Sequence, residues 1–243
     1  MFAIFRKEVR QFFGSLIGYI SIIVFLLVLG LFIWIFPDTN VLDFGYASLD
    51  SLFSIAPYIF IFLIPAITMR SFADEINTGT IELLSTRPVT ELQIILGKYF
   101  ASLLLVLVTI LPTFIYFYTV YRLASPIGNV DVGGILGSYF GLFFLGAVFV
   151  AIGIFSSSVT SNQIIAFILG VFLCFIIYMG FDYISQFGVF IGKNDYLVES
   201  LGLNSHYNSM SKGVIDSRDV IYFLSVISLF ILLTRTALSS RRW

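Results

Sequence analysis

Six apolar runs dominate this chain, at residues 17–36, 52–69, 99–121, 135–155, 164–181 and 220–238, and the first five contain no Asp, Glu, Lys, Arg or His. As a helix, a run of about 20 apolar residues crosses about 30 Å of hydrocarbon. In lipid every backbone N–H and C=O must be satisfied within a helix or a closed barrel, and apolar runs this long exclude alternating barrel strands. The expected fold is all-α and polytopic, a single transmembrane domain over 1–243 with six spans. Composition agrees, with 59% hydrophobic and 11% charged residues against about 45–50% and about 25% in soluble domains. The sixth run carries Arg235 in its last turn, where a long side chain snorkels to the headgroups.

The first 16 residues read as an amphipathic helix lying in the membrane interface. Phe2, Phe5, Val9, Phe12, Phe13 and Leu16 recur at steps of three and four, with Arg6, Lys7, Arg10 and Gln11 between them. The apolar run that follows is too long for a signal-peptide core and has no small-residue cleavage site after Phe36, so it reads as an uncleaved span. With the N-terminus inside, inner segments hold Arg6, Lys7, Arg10, Arg70, Arg87, Lys98, Arg235, Arg241 and Arg242, and outer loops only Arg122, Lys193, Lys212 and Arg218. That asymmetry predicts cytoplasmic termini.

Several function classes are disfavoured. Proton-coupled carriers keep ionisable groups at mid-membrane, and these spans have none; sodium held by hydroxyls and carbonyls at broken helices is not excluded. There is no G-x-x-x-x-G-K-[ST] phosphate cradle, since Gly97-Lys98 and Gly192-Lys193 lack the upstream glycine and the following hydroxyl. No metal-ligand cluster, G-x-S-x-G elbow or basic nucleic-acid stripe occurs. The one histidine, His206, falls in an outer loop, and the one cysteine, Cys174, lies mid-span; both read as packing residues.

The longest inner connection, 70–98, mixes both signs of charge with helical periodicity. Phe72 and Ile76 stand one turn apart, and Asn77-Thr78-Gly79 is a stop and turn signal in which Gly79 permits positive φ. Thr80 opens a second helical piece that ends at Arg87-Pro88, and Thr90 with Gln93 forms a capping box for the third span. A short helix with apolar and acidic sides fits a cleft on a soluble partner; the competing reading is a connector folded onto its own bundle. The outer loop 182–219 carries an apolar cluster at Tyr196, Leu197, Val198, Leu201 and Leu203, then Tyr207, Met210 and Val214 at helical steps. Short helices dipping back into the outer leaflet account for that pattern. In the fourth span Gly137 and Gly141 form a G-x-x-x-G that allows close helix approach, within the bundle or between subunits. Pro57, Pro65 and Pro112 favour kinks.

The string from Phe72 to Leu84, FADEINTGTIELL, followed by Thr86-Arg87-Pro88-Val89-Thr90, resembles the cytoplasmic motif of type 2 ABC exporter permeases. The turn from Ser156 to Gln163 and the segment containing His206-Tyr207 and residues 213–220 are similar to two further segments of that family. Within it, the chain most resembles the gliding-motility-associated permease subunit of Bacteroidota. The resemblance implies a multi-pass subunit of the bacterial inner membrane, surrounded by lipid, without nucleotide or cofactor of its own, ATP and Mg residing on a separate cytoplasmic ATPase. It implies a second transmembrane subunit, identical or different, and helices of the outer loop capping the outer mouth. It implies ATPase coupling through Phe72, Glu75, Gly79, Thr80, Glu82 and Leu84, with Arg87 and Pro88 setting the exit. The alternative is an energy-independent membrane scaffold or assembly subunit of a larger machine.

Overall fold

A computed structural model describes residues 1–43, 45, 47–80, 89–186, 198–213 and 216–240. Among them every regular element is helical: α1 (Phe2–Phe13), α2 (Leu16–Trp34), α3 (Asp50–Thr68), α4 (Arg70–Asn77), α5 (Glu91–Ile110), α6 (Phe114–Leu123), α7 (Val132–Val159), α8 (Gln163–Phe175), α9 (Phe181–Ser185), α10 (Leu203–Ser211) and α11 (Ser217–Ser239). Six helical stretches have the length and composition to cross a membrane: Leu16–Trp34, Asp50–Asn77, Glu91–Leu123, Val132–Val159, Gln163–Ser185 and Ser217–Ser239. The chain is an all-α, multi-pass membrane protein.

These helices reach beyond the apolar runs that announce them. The second span continues through Met69, whose φ of −54° and ψ of −29° are helical, straight into α4. The third begins at Glu91, where Thr90 accepts from the Gln93 N–H and the Gln93 side chain accepts from the Thr90 N–H, the predicted capping box. Within the inner segment expected over 70–98, α4 covers Arg70–Asn77 and the start of α5 covers the residues from Glu91 onward. Hydropathy locates where a helix leaves lipid; hydrogen bonding decides where it ends. At Pro112 the third span tightens into a 3₁₀ turn, Leu111–Thr113, before α6. Pro57 and Pro65 stay inside a continuous α3.

α7 is the central post. Buried residues make up 78% of its most apolar stretch, against 28, 22 and 22% in the spans built on α2, α8 and α11. Small residues bring neighbours close to it. A β-carbon on Gly153 would lie 2.0 Å from Thr68 Oγ1 of α3, and one on Gly146 would lie 2.9 Å from a Val106 methyl of α5. The Gly137/Gly141 pair faces α10: a β-carbon on Gly137 would come within 2.8 Å of the Gly213 α-carbon, and one on Gly141 within 3.1 Å of Met210. Both glycines thus pack within the chain. Cys174 is fully buried.

One end of the bundle, called here the near face, gathers α1, α4, the start of α5 and the α7–α8 turn; the far face gathers α10 with the starts of α3, α7 and α11. On the far face the expected short helix is present as α10, with Leu203, Tyr207 and Met210 buried, while Leu201 is exposed. Tyr196, Leu197 and Val214 lie outside the described residues. His206 holds α10 in place. Its Nδ1 is 2.7 Å from Asp219 Oδ1, its Nε2 is 2.9 Å from the Ser200 carbonyl, and its ring stacks on Tyr222 at 4.0 Å.

Candidate functional site

The near face is organised around Lys98, two turns into the bundle from the start of α5 and only 2% exposed. Its Nζ has three N–H donors and three acceptors: Glu8 Oε1 of α1 at 3.0 Å, Glu75 Oε1 of α4 at 2.9 Å and the Ser71 carbonyl at 2.6 Å. The ammonium also sits 5.0 Å from the centroid of the Phe72 ring, where the ring's negative face favours a cation. Lys7 of α1 closes the cluster from outside, 3.2 Å from the same Glu75 oxygen. Burial works against the Lys7 charge, but the Glu75 and Glu8 carboxylates offset it and hold its pKa above the usual lysine value. Two carboxylates and two ammonium groups make a neutral set, the condition for keeping charge in a poorly solvated place.

A second set of bonds fastens α4 to the turn between α7 and α8. Ser157 Oγ accepts from the backbone N–H groups of Phe72 and Ala73, at 2.9 and 3.0 Å, and donates to the Met69 carbonyl at 2.8 Å. One hydroxyl thereby satisfies backbone groups at the α3–α4 junction, where a helix end would otherwise leave them unpaired. Gln163 sits between two α4 side chains: Arg70 Nε donates to its Oε1 at 3.0 Å, and its Nε2 donates to Asp74. Asn162 caps α8 by accepting from the Ile164 and Ile165 N–H groups. The two sequence segments singled out at 72–84 and 156–163 are thus joined in space.

Of the residues expected to serve coupling, Phe72 is fully buried and Glu75 points at Lys98, so both side chains turn into the bundle. Gly79 has φ +70°, the left-handed conformation its place in the turn signal requires, and a β-carbon there would meet nothing within 4 Å. Thr80 is exposed, its hydroxyl 3.0 Å from that of Thr78 and 3.4 Å from the Glu75 carbonyl. Glu82, Leu84, Arg87 and Pro88 lie outside the described residues. Glu8 and Lys98 escaped the reading by motif. Glu8 is the only acid among four charged residues of α1 and the only buried residue of that helix; an acid at one position of an otherwise basic helix was the available signal. Lys98 counted only as the last cation of the inner segment, yet the helix starts seven residues before it.

Residues 35–198, more than half of the chain, match the family model described as ABC-2 family transporter protein. The match spans α3 to α9, including the α4 contacts with Ser157 and Gln163, and leaves α1 outside it. No curated protein matches the chain.

Proposed function

Since the chain belongs to the ABC-2 transporter family, and is thereby a permease subunit of an ABC transporter, we propose that its 78–90 connection with the end of α4 docks a separate cytoplasmic ATPase as the coupling element. The observation that carries this reading is the double fastening of α4, by Lys98 to α1 and α5 and by Ser157 and Gln163 to the α7–α8 turn. A segment that only joins two helices needs no such anchorage. A lever does, because motion delivered at its tip is lost if its base bends.

Phe72 and Glu75 then form the base of the lever, and Gly79, Thr80, Glu82, Leu84, Arg87 and Pro88 belong to its tip. ATP-driven closure of two ATPase subunits displaces the tip, and the anchored α4 passes that displacement to α1, α5 and α7 together, so the bundle switches between two packings. The near face is cytoplasmic in this reading, in keeping with Arg6, Arg10, Arg70 and Arg235 on inner segments. The membrane is the bacterial inner membrane, a second transmembrane subunit completes the path, and the complex is the gliding-motility-associated one, the subtype that the sequence most resembles.

The test is affinity purification of tagged protein from gently solubilised native membranes, beside a Gly79→Trp/Glu82→Arg variant. A soluble ATPase should follow the wild type and be absent from the folded variant. Membrane partners without an ATPase in either sample would replace this reading with an energy-independent scaffold.

A further inference from the structure

α10 is one wall of a far-face cavity of about 840 Å³, whose other walls are the starts of α3 and α7. Across it a stripe of Asp50, Ser54 and Tyr58 on α3 faces a stripe of Asn204, Asn208 and Lys212 on α10 and its C-cap, each following at steps of four. The wall is held from another side by His206, the only histidine of the chain, which does not line the cavity. A neutral imidazole has one N–H and one lone pair. Here Nε2 lies 2.9 Å from the Ser200 carbonyl, which can only accept, and Nδ1 lies 2.7 Å from Asp219 Oδ1. Both contacts are hydrogen bonds only when the pair holds one proton more than a neutral ring beside a carboxylate. Asp219 stands in the first turn of α11, where a helix N-terminus favours the ionised carboxylate, so that proton belongs on the ring. Tyr222 stacks on the imidazole with centroids 4.0 Å apart and planes 21° from parallel, an aromatic face that favours a cation. The other Asp219 oxygen, Oδ2, is buried with no hydrogen-bond partner among the described residues, so the imidazolium is what compensates this carboxylate.

We propose that His206 is a proton-dependent latch, doubly protonated when it ties α10 to α11 and to the Ser200 carbonyl, and that loss of its proton frees the α10 wall of the cavity. With that proton gone, one ring nitrogen turns a lone pair toward an acceptor. One bond of the latch then becomes a repulsion, and the cation on the Tyr222 face is lost. The latch therefore stabilises α10 at low pH and ceases to do so as pH rises. Among the described residues the ring has a single ion pair, to Asp219. Of the other ionisable groups around α10, Glu199 in the preceding loop and Asp216 and Arg218 on α11 are exposed. Asp182 of α9 bonds Asn204, and Tyr178 of the π-helical turn Ile176–Gly180 meets the Tyr207 ring. Asp50 and Asp131 stand across the cavity, at the starts of α3 and α7, and Lys212 lines it. With the near face cytoplasmic, as proposed above, the latch senses the pH outside the inner membrane; the latch itself does not depend on that reading.

The test uses the full chain in lipid nanodiscs, with isotopically labelled histidine and a tag free of histidine, titrated from about pH 5 to about pH 9. Nitrogen resonance then reports one imidazole, and limited proteolysis, normalised to an unstructured peptide at each pH, reports α10. At the acid end both ring nitrogens should be protonated and α10 protected. As the pH rises, the doubly protonated signal should be lost, and cleavage within α10 should rise about tenfold in step with it. His206→Phe should be cleaved at the higher rate across the whole range. Asp219→Asn, which keeps the shape and removes the charge, should release α10 at lower pH than the wild type; if that variant does not elute as a monodisperse species, the wild type and His206→Phe alone decide the matter. The proposal is overturned by a ring with one protonated nitrogen across the range, by loss of the doubly protonated ring without increased cleavage, or by cleavage that changes with pH alike in the wild type and His206→Phe.

Discussion

The two ends of this bundle treat polar groups in opposite ways. At the near face, Lys98 engages all three of its donors, and the charges of Glu8, Glu75, Lys7 and Lys98 cancel. At the far face, the side chains of Asp50, Ser54, Tyr58 and Lys212 line an open cavity without a hydrogen bond among the described residues. A buried, charge-balanced cluster fixes geometry, because any movement of one member leaves the others in an uncompensated low-dielectric environment. An unfilled polar wall is suited to receive something. Rigidity and receptivity are thus separated by the length of the membrane spans, with α7 reaching both.

The largest effect should come from Lys98→Met. It leaves the buried Glu8 and Glu75 carboxylates without their cation and should cost about 3–5 kcal/mol, read as thermal unfolding of the purified protein in detergent. A Glu8→Gln/Glu75→Gln/Lys98→Met triple variant should recover most of that loss, since no buried charge remains; an equally unstable triple variant would mean that the cluster acts by shape. Gly153→Ala ranks next. Its β-carbon would sit 2.0 Å from Thr68 Oγ1, and the strain at the α3–α7 crossing should cost about 1–3 kcal/mol in the same assay.

On the far face the effects should be smaller. His206→Phe keeps an aromatic partner for Tyr222 but loses the bonds to Asp219 and Ser200. It should lower stability by about 1–2 kcal/mol, with protease cleavage near α10 as the local readout. Ser54→Ala removes a hydroxyl that bonds nothing among the described residues and should change unfolding by less than about 0.5 kcal/mol. A large loss there would show that the cavity wall is structural and would erase the contrast between the two ends.

The sequence made the spans legible because lipid imposes one rule on every residue of a helix, and the apolar runs obey it without interruption. The Thr90–Gln93 cap and the positive φ of Gly79 were equally readable, since each depends on neighbours within a few positions. The near-face cluster was not. Glu8, Ser71, Glu75 and Lys98 meet only after α1 folds back along α5, and no local pattern encodes a contact across 90 positions. The inward turn of Phe72 and Glu75 was hidden for the same reason: a short amphipathic helix presents two faces, and only packing decides which one the bundle takes. The facing stripes of the far cavity were present as spacing, but spacing alone does not say that two helices share a space.

The most direct measurement is the distance between spin labels at Gln11→Cys on α1 and Thr78→Cys at the end of α4, in a Cys174→Ser background. It would be made by pulsed electron resonance on the lipid-reconstituted complex with its co-purified ATPase, with and without ATP. A clamp through Lys98 predicts one narrow distance that is the same in both states and broadens in Lys98→Met. A wild-type distance that is broad, or that shifts when ATP is added, would show that α1 and α4 move apart and that the charge cluster is not the rigid base of a lever.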